Sequence, residues 1–330
     1  MNRRESSARG SVLAALAMLV MLVMLVMLGC DQPDFTPRNQ IESVRILASR
    51  ANKPYAQPGD AITIDVLAVD GRPAVPAPTA PMKVYWLPAP CINPPADAYY
   101  ACFPAFSSTF VANADATPKL IAGDQFSFQM PLDAISGHAV VPGLPSYGIA
   151  IAFSIACAGH VEYAPPPPGG ALNQIPFGCF DEARNRLGPD DFVFAFSTVY
   201  AFADRATSNP AIASLSFDNQ PVDLARGISV AQCTEEDLDD CTKTDIEANV
   251  AIGSAETFGA DHESAWVDYY TTAGKVRYNR VVVFDVKRGA IGSTANEFYS
   301  PLAKGDGRLF AVVHDSRSGV NWIEVPIQTR

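Results

Sequence analysis

From Ile41 to the C-terminus the dominant pattern is alternation of apolar and polar side chains with a period of two, and after Cys30 no long segment carries the 3.6-residue period of an amphipathic helix. A period of two places successive side chains on opposite faces of an extended chain. The sequence therefore predicts a mainly β protein. Residues 61–69 are the plainest case: Ile62, Ile64, Val66 and Ala68 share one face, Pro58-Gly59-Asp60 precedes them and Asp70-Gly71 follows. Both flanks are turn chemistry. Further strands are predicted at 83–87, 125–130, 148–156 and 191–202.

Two proline-rich stretches, 73–81 and 163–170, separate some of these strands. Proline offers no N–H to a ladder, so both are predicted as loops in the extended polyproline conformation. A second unit begins near Asn209-Pro210, with strands predicted at 211–217, 265–270 and 275–286. Residues 308–314 and 320–327 then flank a five-residue connection, 315–319, suited to a hairpin.

Short strands in each unit, a closing hairpin, and a tryptophan on a central strand of each (Trp86 and Trp266) resemble two immunoglobulin-like β-sandwich domains in tandem. The resemblance covers 41–205, with proline-rich insertions, and 208–330 more cleanly. The cross-sheet Cys…Trp…Cys pattern is missing from both, so the likeness is to bacterial surface immunoglobulin-like or fibronectin-like modules and not to antibody domains.

Ahead of these units, Arg3, Arg4 and Arg9 precede seventeen consecutive residues, 12–28, without a polar side chain. A basic stretch followed by an apolar one makes a signal helix, and the run is shorter than the roughly 20 residues a spanning helix uses. It closes on Met27-Leu28-Gly29-Cys30, which resembles the lipobox of bacterial lipoproteins, although that family prefers leucine where Met27 stands. The resemblance implies a signal peptide over 1–29, cleavage before Cys30, diacylglycerol and palmitate-type acyl chains on that cysteine, and a lipidated tether over 30–40. Two or more acyl chains hold stably, at about 0.8 kcal/mol per buried CH₂. The whole chain is similar to bacterial lipoproteins with such modules, held on the cell membrane or outer membrane and facing the periplasm or the exterior. In some bacteria an aspartate after the cysteine, here Asp31, retains the protein in the inner membrane.

Removing 1–29 takes away three arginines and one glutamate and moves the net charge from −11 to −13. An acidic chain without a basic run argues against nucleic acid as a partner and gives no electrostatic reason to lie on anionic lipid. With Cys30 assigned to lipid, six of the seven cysteines remain. An even count in an exported chain reads as disulfides, and order along the chain suggests Cys91–Cys102, Cys157–Cys179 and Cys233–Cys241. No Cys-x-x-Cys pair or histidine at ligand spacing supports zinc instead.

Catalytic motifs are absent from the sequence. His138, His160, His262 and His314 lie far apart, and His262-Glu263 fails as a zinc-protease helix because Trp266 stands where the second histidine belongs. His314-Asp315 can be posed as an acid–base pair, but an exposed histidine at a strand end is the plainer reading. No nucleophile elbow, phosphate loop, dinucleotide or haem motif occurs, so no cofactor is expected. Glu235, Glu236, Asp237, Asp239 and Asp240 crowd one cysteine-bounded loop and are weak calcium candidates, lacking the spacing of an EF-hand. Tyr99, Tyr100, Phe103, Phe106 and Phe110 surround Cys102; exposed, they would grip a sugar or protein, and buried, they would fill a small core. The sequence thus predicts a non-enzymatic, lipid-anchored envelope protein whose modules bind a protein or glycan. The alternatives are an envelope hydrolase or carbohydrate-active enzyme with a site assembled from loops, and a structural stalk. A histidine–carboxylate pair in a concave pocket would favour the enzyme, and a flat aromatic patch the binding module.

Overall fold

The computed structural model describes residues 37–330 except 74–79, 141, 144, 168, 172, 252–254, 256 and 259–260. The signal segment 1–29, Cys30 and tether residues 31–36 lie outside the described residues, as does most of the 73–81 proline stretch.

The first lobe holds β1 (Val44–Ala51), β2 (Tyr55–Ala56), β3 (Ala61–Asp70), β4 (Lys83–Trp86), β5 (Cys91–Ile92), β6 (Ala114–Asp115), β7 (Ile121–Ala122), β8 (Gln125–Gln129), β9 (Gly148–Cys157), β10 (His160–Tyr163), β11 (Phe177–Phe180) and β12 (Phe192–Ala201). The second holds β13 (Ile212–Phe217), β14 (Gln220–Pro221), β15 (Ile228–Val230), β16 (Lys243–Val250), β17 (Thr257–Phe258), β18 (Asp261–His262), β19 (Ala265–Thr271), β20 (Lys275–Val276), β21 (Arg280–Asp285), β22 (Gly289–Ala290), β23 (Asn296–Tyr299), β24 (Gly305–Asp315) and β25 (Val320–Thr329).

Each lobe is two facing sheets with one repeated order. In the first, β1-β3-β8 opposes β2-β12-β9-β4-β7; in the second, β14-β13-β16-β23-β20 opposes β15-β25-β24-β19-β21-β22. The short strands β2 and β15 each cross to the other sheet and pair parallel with the last strand of their lobe. This repeat makes the chain mainly β, as two immunoglobulin-like sandwiches.

The pattern of β3 records what covers it. Ile62, Ile64 and Val66 enter the first sandwich core with Trp86, Phe126 and Val199. On the opposite face Thr63 and Asp65 are only half-buried, but Leu67 and Val69 are buried against the second lobe. The strand is therefore polar outward in its first half and apolar on both faces in its second. Leu67, Val69, Ala48 and Ile41 meet Phe310, Val312 and Val320 from the outer face of the second lobe. The two sandwiches thus pack side by side through a third apolar layer.

Strand β9 is buried along its whole length. Ala150 and Ala152 face the sandwich, whereas Ile149, Ile151, Phe153 and Ile155 point outward into a further core. That core belongs to a cap built from the segments around Cys91–Cys102 and from the sheet β11-β10-β6. The cap is stapled to β9 by Cys157–Cys179. In the second lobe the bulky Tyr269 is buried, and its hydroxyl accepts the Ala248 N–H at 2.9 Å, so the core carries no orphaned polar group there.

Both ends of the first lobe are tied to the second. Ile41 N–H donates to the Thr271 carbonyl and Thr271 N–H to the Asn39 carbonyl, each at 2.8 Å, so the entry segment runs along the edge of β19. The Asn209 side chain donates to the Ala51 carbonyl at 2.7 Å and accepts the Val320 N–H at 2.9 Å.

Two expectations change. The segment 275–286 is not one strand: β20 and β21 lie in different sheets, with 277–279 turning between them. Trp86 is fully buried in its core, but Trp266 lies on the outer face of its sheet, under Arg280 and stacked on His314 at 5.5 Å.

Candidate functional site

Beyond Cys157 the chain turns through Ala158-Gly159 into β10, and this turn, the start of β4 and the end of β11 enclose a groove of about 590 Å³. Its walls carry Lys83, His160, Phe180, Asp181 and Glu182. Gly159 is dictated by proximity: a Cβ there would stand 2.2 Å from the Phe180 carbonyl oxygen. Directly behind the groove, His160 Nε2 lies 3.0 Å from Glu162 Oε1. Glu162 is buried and receives Arg184 in a two-point clasp, Nε at 2.8 Å and Nη2 at 2.9 Å. Those Arg184 hydrogen bonds, against the opposing effect of burial, hold the Glu162 carboxyl below its usual range.

This arrangement recognises better than it reacts. The carboxylate beside the imidazole is already matched by a guanidinium, which removes most of its basicity. Among the described residues that line the groove there is no serine, threonine or cysteine. An aromatic wall with both signs of charge at fixed positions suits a polar ligand with an apolar face.

The remaining histidines do not converge on this groove. His138 Nε2 lies 2.7 Å from Asp97, which also accepts the Tyr147 hydroxyl and pushes that phenol up to about 12. His314 pairs with Asp268 at 3.4 Å, and Asp268 is held by Arg280 at 2.7 and 2.8 Å. This overturns both readings of His314, as an exposed strand-end histidine and as the acid–base partner of Asp315. Adjacent residues on a strand face opposite ways; Asp315 instead accepts the N–H groups of Arg317 and Gly319 and shapes the hairpin turn. Glu263 is fully buried and pairs with Arg317 at 3.2 Å.

Burial pushes the His314 imidazole below its ordinary 6.5, against the pull of Asp268. A histidine with a depressed folded pKa favours the native state only while neutral, so stability is lost as pH falls below about 6.5 toward the folded value. Urea midpoints are expected to fall between pH 7 and 5.5 in the wild type and to fall less in His314→Phe. Parallel curves for the two proteins would refute this.

The three disulfides join Cys91 to Cys102, Cys157 to Cys179 and Cys233 to Cys241. In the acidic loop the Asp237 side chain accepts the Asp239 N–H, and Asp239 pairs with Lys275 at 2.5 Å. Among the described residues no group of three or more histidine, cysteine or acidic side chains is placed to hold a metal. The aromatic cluster near Cys102 is the cap's core: Phe103 and Phe110 are buried and Phe106 lies 5.5 Å from Phe153. Only its rim is open, where Tyr99 stacks on the exposed Phe196 at 4.6 Å beside Tyr100. The groove itself was not legible in the sequence, since 83, 160 and 180 meet only through the sheet and the disulfide.

No family model matches this sequence, and no match is found among curated proteins. Among solved structures the chain is similar to the fibronectin(III)-like modules of Clostridium thermocellum CbhA, at 10% identity and a TM-score of 0.21, over 86% of this chain and 94% of that one. The chicken CNTN1 FN1-FN3 domains match at 10% identity and a TM-score of 0.18, over 88% and 98%. Escherichia coli alpha-2-macroglobulin matches at 9% identity and a TM-score of 0.21, over 90% of this chain and 22% of that one. Scores this low leave the fold assignment to the repeated strand order itself.

Proposed function

We propose that this is a non-enzymatic, lipid-anchored envelope protein whose immunoglobulin-like lobes bind a protein or glycan partner, with the groove beside His160 and Phe180 as the docking site. The observation that carries this reading is the preorganisation of the groove. Its walls are carried by paired strands and the turns between them, and Cys157–Cys179 ties the end of β9, which leads into the groove's turn, to β11. A site already rigid before binding loses little entropy when occupied. The side-by-side packing of the lobes supports a compact binder over an extended stalk.

Immobilised mature protein is to be probed with envelope glycan fragments and envelope extract. Retention by the wild type and a loss of about tenfold or more in Phe180→Ala is expected, the scale of an aromatic contact at an interface. Equal retention by the variant removes the groove from the reading. The pair His160–Glu162 beside a concave site favours a second reading, an envelope hydrolase. Turnover of ester, amide or glycoside substrates by the wild type, abolished in His160→Gln, would establish that reading instead.

No helix among the described residues is long and apolar enough to cross a membrane; under this reading attachment rests on Cys30. Mass spectrometry of the native N-terminus is expected to find acylated Cys30, and Cys30→Ala is expected to leave the membrane fraction. A variant that stays equally membrane-bound refutes the anchor.

A further inference from the structure

At the joint between the lobes a second, smaller cavity of about 230 Å³ is lined by three arginines, Arg38, Arg45 and Arg280, together with Asp268, Tyr270 and Asn279. Its lining also includes the apolar Ile41, Ile46 and Leu47. In a chain of net charge −11 such a convergence is the reverse of the surface average. Among the described lining residues the one carboxylate, Asp268, accepts hydrogen bonds from Arg280 Nε and Nη2 at 2.7 and 2.8 Å. The other two cations are not neutralised in this way. Arg45 is steadied by its Nε, which donates to Ser43 Oγ at 3.0 Å, and among the described residues neither Arg45 nor Arg38 has a carboxylate partner. Both lie close enough to Tyr270 for their charge to oppose the upward shift that burial gives its hydroxyl.

We propose that this cavity binds a phosphate-type oxyanion, held by Arg38 and Arg45 with the Asn279 amide and Tyr270 hydroxyl as further donors. Three features specify that chemistry. Guanidinium forks match the paired oxygens of phosphate. The cavity is below the roughly 300–1,000 Å³ of drug-sized ligand sites, so it takes a headgroup or small ion and not a large metabolite. The apolar residues in the lining lower the local dielectric and strengthen the charge interactions beside them.

Two sources can supply such an anion, a lipid headgroup and free phosphate. Arg38 follows Cys30 by eight residues, a span of at most about 29 Å at roughly 3.6 Å per residue. If Cys30 is lipidated, as proposed above, the cavity lies within reach of the membrane surface, where phosphodiester headgroups are concentrated; free phosphate is the source that needs no anchor.

The test uses the mature protein purified in non-ionic detergent, with binding read by calorimetry at low salt. The probes are inorganic phosphate and dihexanoyl phosphatidylglycerol, with dihexanoyl phosphatidylcholine as the probe whose phosphate is neutralised internally. Wild type is expected to bind at least one of the first two, weakening as salt is raised. The double variant Arg38→Gln/Arg45→Gln is expected to lose about tenfold or more in affinity, the scale of lost charge-assisted hydrogen bonds. Both arginines are exposed, so an unchanged melting temperature checks that the variant is folded. Tighter binding of the glycerol lipid identifies a headgroup site, and equal or tighter binding of inorganic phosphate identifies a free-ion site. Either result stands whether or not Cys30 is acylated. No binding of either probe, or equal binding by the double variant, overturns the proposal.

Discussion

Replacing Cys157 and Cys179 together by alanine is expected to lower the unfolding free energy by about 3 kcal/mol and to open the cap. The two cysteines are 22 residues apart, and closing a loop of that length restricts the unfolded chain by about that amount. The effect is concentrated in one region. Cys157 ends β9 and Cys179 lies on β11, both buried in the cap core with Phe103, Phe153 and Phe177. Without the bridge, Phe153 stays fixed in β9 and Cys91–Cys102 still ties the Phe103 segment, but Phe177 and its sheet keep only side-chain packing and short pairings such as the two-residue contact of β6 with β10. Urea denaturation checks the stability loss, and dye binding to newly exposed aromatic surface checks the location. An unchanged midpoint, or a loss without dye binding, contradicts the argument.

Phe310→Ala is expected to cost about 3–5 kcal/mol, the range for removing a fully buried ring, and to change the shape of the transition. Phe310 is fully buried yet belongs to neither sandwich core; it fills the layer between the lobes with Val312 and Val320 against Leu67 and Val69. Phe298→Ala, inside the second core, is the matched control. It should lower stability by a similar amount without uncoupling the lobes. Calorimetry of Phe310→Ala should resolve two transitions where the wild type and the control show one. A single shifted transition in both variants would mean that the interlobe layer does not couple the lobes.

What the sequence revealed and what it concealed follow from how far each signal reaches. Period-two runs such as 61–69 and the closing hairpin are local, and both are strands. The run 148–156 reads as strand too, but only the cap explains why its large side chains turn away from the sandwich. Strands β16 and β23 went unpredicted: Lys243–Val250 buries only Ile246 and Ala248 amid charged neighbours, and Asn296–Tyr299 is too short to show a period. The histidine pairs were hidden for a geometric reason. His314 meets Asp268 diagonally across β24 and β19, a relation set by register and not by spacing. Arginines at 38, 45 and 280 show no basic run, yet they line one cavity.

The entry segment carries a consequence for the order of assembly. Residues 39–41 leave the ribosome well before their backbone partner Thr271, and the Asn39 side chain donates to the Val276 carbonyl at 2.8 Å. Neither partner exists until most of the chain has been made. The first described β residues to emerge are thus among the last to dock, and closure over a separation of 237 residues precedes the Asn39–Val276 bond that rewards it. Until the second lobe is complete, the start of the first has no edge to lie on.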